Sequence, residues 1–136
     1  EMIDAIFAAY PKLGQWIKES QANFKDYCTT VSGRKVWLNQ YTTSWRRLIL
    51  NAPIQGSAAE AIKLAAVKMV ADCGVGGTSP LRLMVHDELV CEVPAKDVED
   101  FSKCLTNAMI SASESLHPGI HAGVELGHGS AWSAKV

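Results

Sequence analysis

An α+β fold, with antiparallel hairpins packed against long helices, is what this sequence predicts. Two short apolar runs, Leu81–Val85 and residues 89–93, flank His86-Asp87-Glu88 and are closed off by Pro80 and Pro94, the pattern of strand, tight turn and strand. Residues 54–73, before that unit, are dominated by good helix formers, and residues 95–116, after it, gather their large apolar side chains on one helical side. A third signal is Ser32-Gly33-Arg34, a Gly-containing turn between residues 28–31 and 35–38, whose β-branched and aromatic side chains suit a small hairpin.

The elements follow in order. Between Asp4 and Tyr27, Ile6, Phe7, Tyr10, Leu13, Ile17 and Phe24 recur mostly at helical steps, and Pro11 imposes either a kink or two helices joined near Ala9-Tyr10. Thr42, Thr43 or Ser44 is placed to cap a short helix over residues 45–50. Asn51 is placed to cap the next, with Pro53 tolerated in its first turn. Residues 74–80 form a loop. The helix over 95–116, with Val98, Phe101, Leu105, Met109 and Ile110 on one side, ends at His117-Pro118-Gly119. Val124-Glu125-Leu126 predicts a last short strand.

Length and composition set bounds. A chain of 136 residues with 48% hydrophobic and 20% charged residues fits one soluble domain or part of one, and no apolar stretch is long enough to span a membrane. The start, Glu1-Met2-Ile3-Asp4, has neither the basic beginning nor the apolar middle of a secretory signal, and reads as cut from something longer. A net charge of −1 disfavours nonspecific polyanion binding through a basic tail, although Arg34-Lys35, Arg46-Arg47, Lys63, Lys68 and Arg82 could form local clusters. Cys28, Cys73, Cys91 and Cys104 are scattered, without C-x-x-C spacing or a nearby zinc-site His. The expectation is therefore reduced thiols in a cytoplasmic protein.

Two constellations carry chemistry. Asp87 and Glu88 offer oxygen ligands that suit Mg²⁺ or Mn²⁺, provided the turn twists the neighbouring side chains together; otherwise the triplet is a polar hairpin tip meeting water. Arg47, Asn51 and Gln55 recur at steps of four, a ladder of donors on one helical face, with Ser57 and Lys63 further along. Minor-groove acceptors repeat at every base pair and suit such a ladder. Capping by Asn51 and plain solvent exposure of the others is the competing reading.

Taken together, Asn51-Ala52-Pro53-Ile54-Gln55-Gly56-Ser57-Ala58-Ala59 with Ile62-Lys63, then Val85-His86-Asp87-Glu88-Leu89-Val90 and Glu92-Val93-Pro94, closely resemble the C-terminal part of the polymerase domain of family A DNA polymerases. Tyr10-Pro11, Thr30 with Ser32-Gly33-Arg34, and the late Gly129-x-x-Trp132 resemble the same family, so the likeness covers nearly the whole chain. The resemblance implies a palm-type antiparallel sheet around the carboxylate hairpin, with residues 1–136 as the C-terminal portion of that palm. Asp87 would be one of two catalytic aspartates holding a metal pair, Glu88 an accessory carboxylate, and His86 a contact to the primer near its 3′ end. Arg47, Asn51 and Gln55 would touch the minor groove and template at the new base pair. The implied reaction is two-metal phosphoryl transfer from deoxynucleoside triphosphates onto primer-template DNA.

Glu60 stands where the family usually has Asp, and Ser57 where Thr is common; both keep the chemical type. The other catalytic aspartate and the nucleotide-gripping fingers helix belong upstream of Glu1. The resemblance thus implies a truncation, or one piece of a split or prophage-type enzyme, inactive without its upstream segment. Apolar surface left uncovered predicts self-association or a partner. A noncatalytic DNA-binding module or degenerate prophage remnant is the alternative. An independent nuclease or phosphatase lacks the further ligands it would need.

Overall fold

Pro11 divides the N-terminal apolar stretch into two helices, α1 (Met2–Ala9) and α2 (Pro11–Ala22), in the computed structural model, which describes residues 2–23, 25–39, 41, 43–74 and 79–132. Tyr10 between them takes a non-helical backbone (φ −127°, ψ 70°), as residues before proline tend to, while Pro11 occupies the first turn of α2, where its missing N–H costs little. Gly14 is buried because α1 lies over it: a Cβ there would come within 3.3 Å of the Phe7 ring. Phe24, Thr42 and residues 75–78 of the expected loop lie outside the described residues.

The first hairpin forms as expected, from β1 (Tyr27–Thr29) and β2 (Lys35–Trp37), with Tyr27 opposite Trp37 and Cys28 opposite Val36. Thr30 closes its loop. Its N–H donates to the Arg34 carbonyl at 2.9 Å and its Oγ1 accepts from the Arg34 N–H at 3.2 Å, while Gly33 supplies a φ of 85° that side chains disfavour.

Beyond it the structure departs from the expected pair of helices. One continuous helix, α3 (Trp45–Asp72), runs through Asn51, which is therefore mid-helix and not a cap, and Pro53 lies inside it. Proline deprives the Ile49 carbonyl of its helical donor, yet the strong helix formers on both sides carry the helix past that gap. Its first turn is anchored at Ser44, whose carbonyl accepts from the N–H groups of Arg47 and Leu48.

β3 (Leu81–Val85) and β4 (Glu88–Cys91) pair antiparallel, with Val85 opposite Glu88 and an irregularity between Leu81 and Leu83. A short 3-10 turn (Ala95–Asp97) leads into α4 (Val98–Leu116), whose first turn holds Glu99 and Asp100, favourably placed against the helix dipole. The chain leaves α4 at His117, and Gly119 has a φ of 85°. Val124-Glu125-Leu126 forms no strand, which corrects that expectation; three alternating residues between glycines find no sheet edge to pair with.

The chain divides into two compact units, Glu1–Gly56 and Ser57–Val136. The second holds the main core. Ala65, Ala66, Met69 and Cys73 of α3 meet Phe101, Leu105, Ala108 and Ala112 of α4, and Leu89 of β4 is buried among them. Leu81, Cys91 and Val93 pack against the cluster, so the second hairpin is anchored by its inward side chains. Alanines on both helices let their backbones approach closely.

Cys73 and Cys104 are joined in a disulfide, contrary to the reduced thiols expected. Their separation of 31 residues conceals that the end of α3 and the start of α4 adjoin, with Cα atoms 5.8 Å apart. Cys28 and Cys91 are free. Burial raises both thiols above their ordinary pKa, opposed at Cys28 by a backbone hydrogen bond and the Arg34 charge and at Cys91 by the Arg82 charge, so both resist becoming thiolates. Among the described residues, no helix is long and apolar enough to cross a membrane.

Candidate active site

The second hairpin places the triplet. β3 ends at Val85 and β4 starts at Glu88, which leaves His86 and Asp87 as the two turn residues. Two-residue turns that match strand twist require a positive φ, and His86 supplies it at 53°, the sole non-Gly residue with positive φ among the described residues. His86 and Asp87 are exposed and Glu88 is half-buried. Among the described residues the Asp87 carboxylate has neither hydrogen bond nor ion pair. The Glu88 Oε1 accepts a hydrogen bond at 3.0 Å from the indole N–H of Trp132.

The donor chemistry is that of a hard divalent cation, but it is incomplete. No cluster of three or more His, Cys, Asp or Glu side chains among the described residues could hold a metal ion. Asp87 with Glu88 fits Mg²⁺ or Mn²⁺ only as a partial set, the kind that gains its remaining ligands from water and substrate phosphate.

Arg47, Asn51 and Gln55 lie in the first unit. Because α3 is unbroken through Asn51, the steps of four do put these side chains on one face, and all three are exposed. A helix boundary at Asn51 would have scattered them. None of the three makes an intramolecular side-chain hydrogen bond among the described residues, so their donors are available to a ligand. Arg46 is differently used, its guanidinium resting over the Trp45 ring at 4.9 Å.

Gly56 follows Gln55 for a steric reason. A Cβ at Gly56 would sit 2.7 Å from the Thr30 methyl and 3.3 Å from the Arg34 guanidinium, so the first hairpin packs directly on the helix backbone here. Arg34 also donates to the Gly56 carbonyl at 3.4 Å. Ser57 is buried and Lys63 exposed on the same helix.

Two of the other histidines have local partners: His117 Nδ1 is 3.2 Å from the Ser113 carbonyl and His121 Nδ1 is 3.0 Å from Glu114. Trp37 is 71% exposed and touches Tyr27 edge-on. Sequence reasoning placed Trp132 only in a motif. Nothing in the linear pattern joined it to Glu88, 44 residues away.

A sequence model of DNA polymerase family A matches residues 1–134. The thermostable DNA polymerase I of Thermus caldophilus is 34% identical over 98% of this chain, which covers 17% of that protein. DNA polymerase I of Chloroflexus aurantiacus is 30% identical over 93% of the chain and 14% of its own length. In three dimensions the chain is similar to the POL domain of Pol1 from M. smegmatis, solved in complex with DNA primer-template and dNTP. The TM-score is 0.61 at 31% identity, covering 78% of this chain and 20% of that one. The chain thus spans less than a fifth of the curated relatives it matches, and throughout that span it belongs to DNA polymerase family A.

Proposed function

We propose that this chain is the C-terminal palm portion of a DNA-directed DNA polymerase, contributing one catalytic carboxylate and a minor-groove contact face to an enzyme completed by an upstream segment. The observation that carries the reading is the placement of Asp87: an exposed carboxylate, unpartnered among the described residues, at the tip of a hairpin whose base is locked into a hydrophobic core. Such a group is fixed in position yet open to a highly charged ligand. The solved M. smegmatis domain, which holds primer-template and dNTP, supports DNA and deoxynucleoside triphosphates as partners.

The residues divide the work. Asp87, with Glu88 beside it, would hold Mg²⁺ or Mn²⁺, which when bound favours the deprotonated primer hydroxyl and neutralises triphosphate charge. His86 presents its imidazole at the turn, where it can donate to the primer backbone. Arg47, Asn51 and Gln55 donate to purine N3 and pyrimidine O2, which recur whatever the sequence and so report base-pair shape. Asp87 alone supplies too few ligands for tight metal binding, in keeping with a half-site. Exposed Met2, Ile3 and Ile6 on α1 add an apolar surface suited to the upstream segment or to self-association.

Primer extension with Mg²⁺ and four nucleotides tests the reading. The chain alone is expected to give no product, and the chain mixed with a folded upstream segment is expected to extend the primer. Asp87→Ala should abolish that extension. Activity that survives Asp87→Ala, or robust extension by the chain alone, would refute the half-site. DNA binding without extension in the mixture would favour the noncatalytic alternative.

A further inference from the structure

We propose that Trp132 is a positioning residue for Glu88, holding the accessory carboxylate of the hairpin from the far end of the chain. The proposal rests on the polymerase reading of Asp87 and Glu88. The observation is a hydrogen bond of 3.0 Å from the Trp132 Nε1 to the Glu88 Oε1, between side chains that are 44 residues apart. Indole nitrogen is a donor only, so it can grip a carboxylate oxygen but can neither accept from a neighbour nor ligate a cation. It therefore orients Glu88 without competing for whatever Glu88 serves.

Position makes that orientation consequential. Glu88 opens β4 directly after the turn, its backbone set by the pairing with Val85 and its neighbour Leu89 buried in the core. Backbone placement leaves the three side-chain torsions of a glutamate unset, and Asp87 is the residue next to it. A donor delivered by the segment after α4, which forms neither helix nor strand between Gly123 and Gly129, narrows those torsions to one arrangement. Glu88 has a further interaction besides the indole. Loss of Trp132 is therefore expected to loosen the carboxylate rather than release it.

Two measurements separate this role from the polymerase reading. In the chain itself, labelled with ¹⁵N, the four tryptophans give indole N–H resonances, and Trp132→Phe identifies the one in question. Glu88→Ala should shift that resonance upfield and leave the other indoles in place. An unmoved resonance overturns the proposal whether or not the chain takes part in polymerisation.

In the mixture with the upstream segment, Trp132→Phe should lower kcat by roughly three- to tenfold with KM for nucleotide and DNA unchanged, the net scale of one ordinary hydrogen bond. The double variant with Glu88→Ala should be no slower than Glu88→Ala alone. Wild-type kcat in Trp132→Phe, a change confined to KM, or additive losses in the double variant would overturn the proposal. Survival of activity in Asp87→Ala would instead count against the polymerase reading.

Discussion

His86 occupies the left-handed region at a φ of 53°, in a turn that most hairpins would build with glycine or asparagine. For a side chain with a Cβ that conformation costs about 1–2 kcal/mol, and such strain is retained where the side chain itself is wanted. His86→Gly should therefore stabilise the fold. Part of the gain is offset by the freer unfolded chain, leaving a net of about 0.5–1 kcal/mol, read as a higher urea midpoint. Primer extension in the completed enzyme should fall in the same variant; a lower midpoint would show that the imidazole is kept for packing. The residue triplet was legible in the sequence because breakers bracket two apolar runs. The Trp132–Glu88 pair was not, since no periodicity links side chains brought together only by the tertiary fold.

Pro11 and Pro53, the two prolines within helices, show how elements are decided by context. Pro11 follows Tyr10 in a non-helical conformation and starts a helix, whereas Pro53 sits between strong helix formers and fails to stop one. A rule about proline alone could not separate them, and Arg47, Asn51 and Gln55 share a single face because α3 continues unbroken through Asn51 and Pro53. Element packing gives its own prediction at Gly56. Alanine is the better helix former by about 1 kcal/mol, but its Cβ would stand 2.7 Å from a Thr30 methyl. Thr30 cannot easily turn aside, because its hydroxyl accepts from the Arg34 N–H at 3.2 Å. Gly56→Ala is expected to destabilise by about 1–2 kcal/mol, the cost of overpacking exceeding the propensity gain. In a Thr30→Ser background, which keeps the hydroxyl and removes the methyl, the same change should become neutral or stabilising. Stabilisation by Gly56→Ala on its own would mean that the hairpin yields freely.

Over the whole molecule, the fold class and most elements were readable because hydrophobic periodicity and turn residues are local properties. The disulfide was not, because it depends on two helix ends meeting across a loop and a hairpin. Closing a loop of this size restricts the unfolded chain and should contribute about 3–4 kcal/mol. Dithiothreitol is expected to lower the urea midpoint by a corresponding amount, and a Cys73→Ser, Cys104→Ser double variant should start from the lowered midpoint and ignore the reductant. An oxidised chain indifferent to dithiothreitol would contradict the linkage. The bond has one more consequence, visible on a gel. Arg82, Lys96 and Lys103 all lie between the two bonded cysteines, so a chain nicked by trypsin at any of them should still migrate as one covalent species until a reducing agent is added, and only then separate into two fragments.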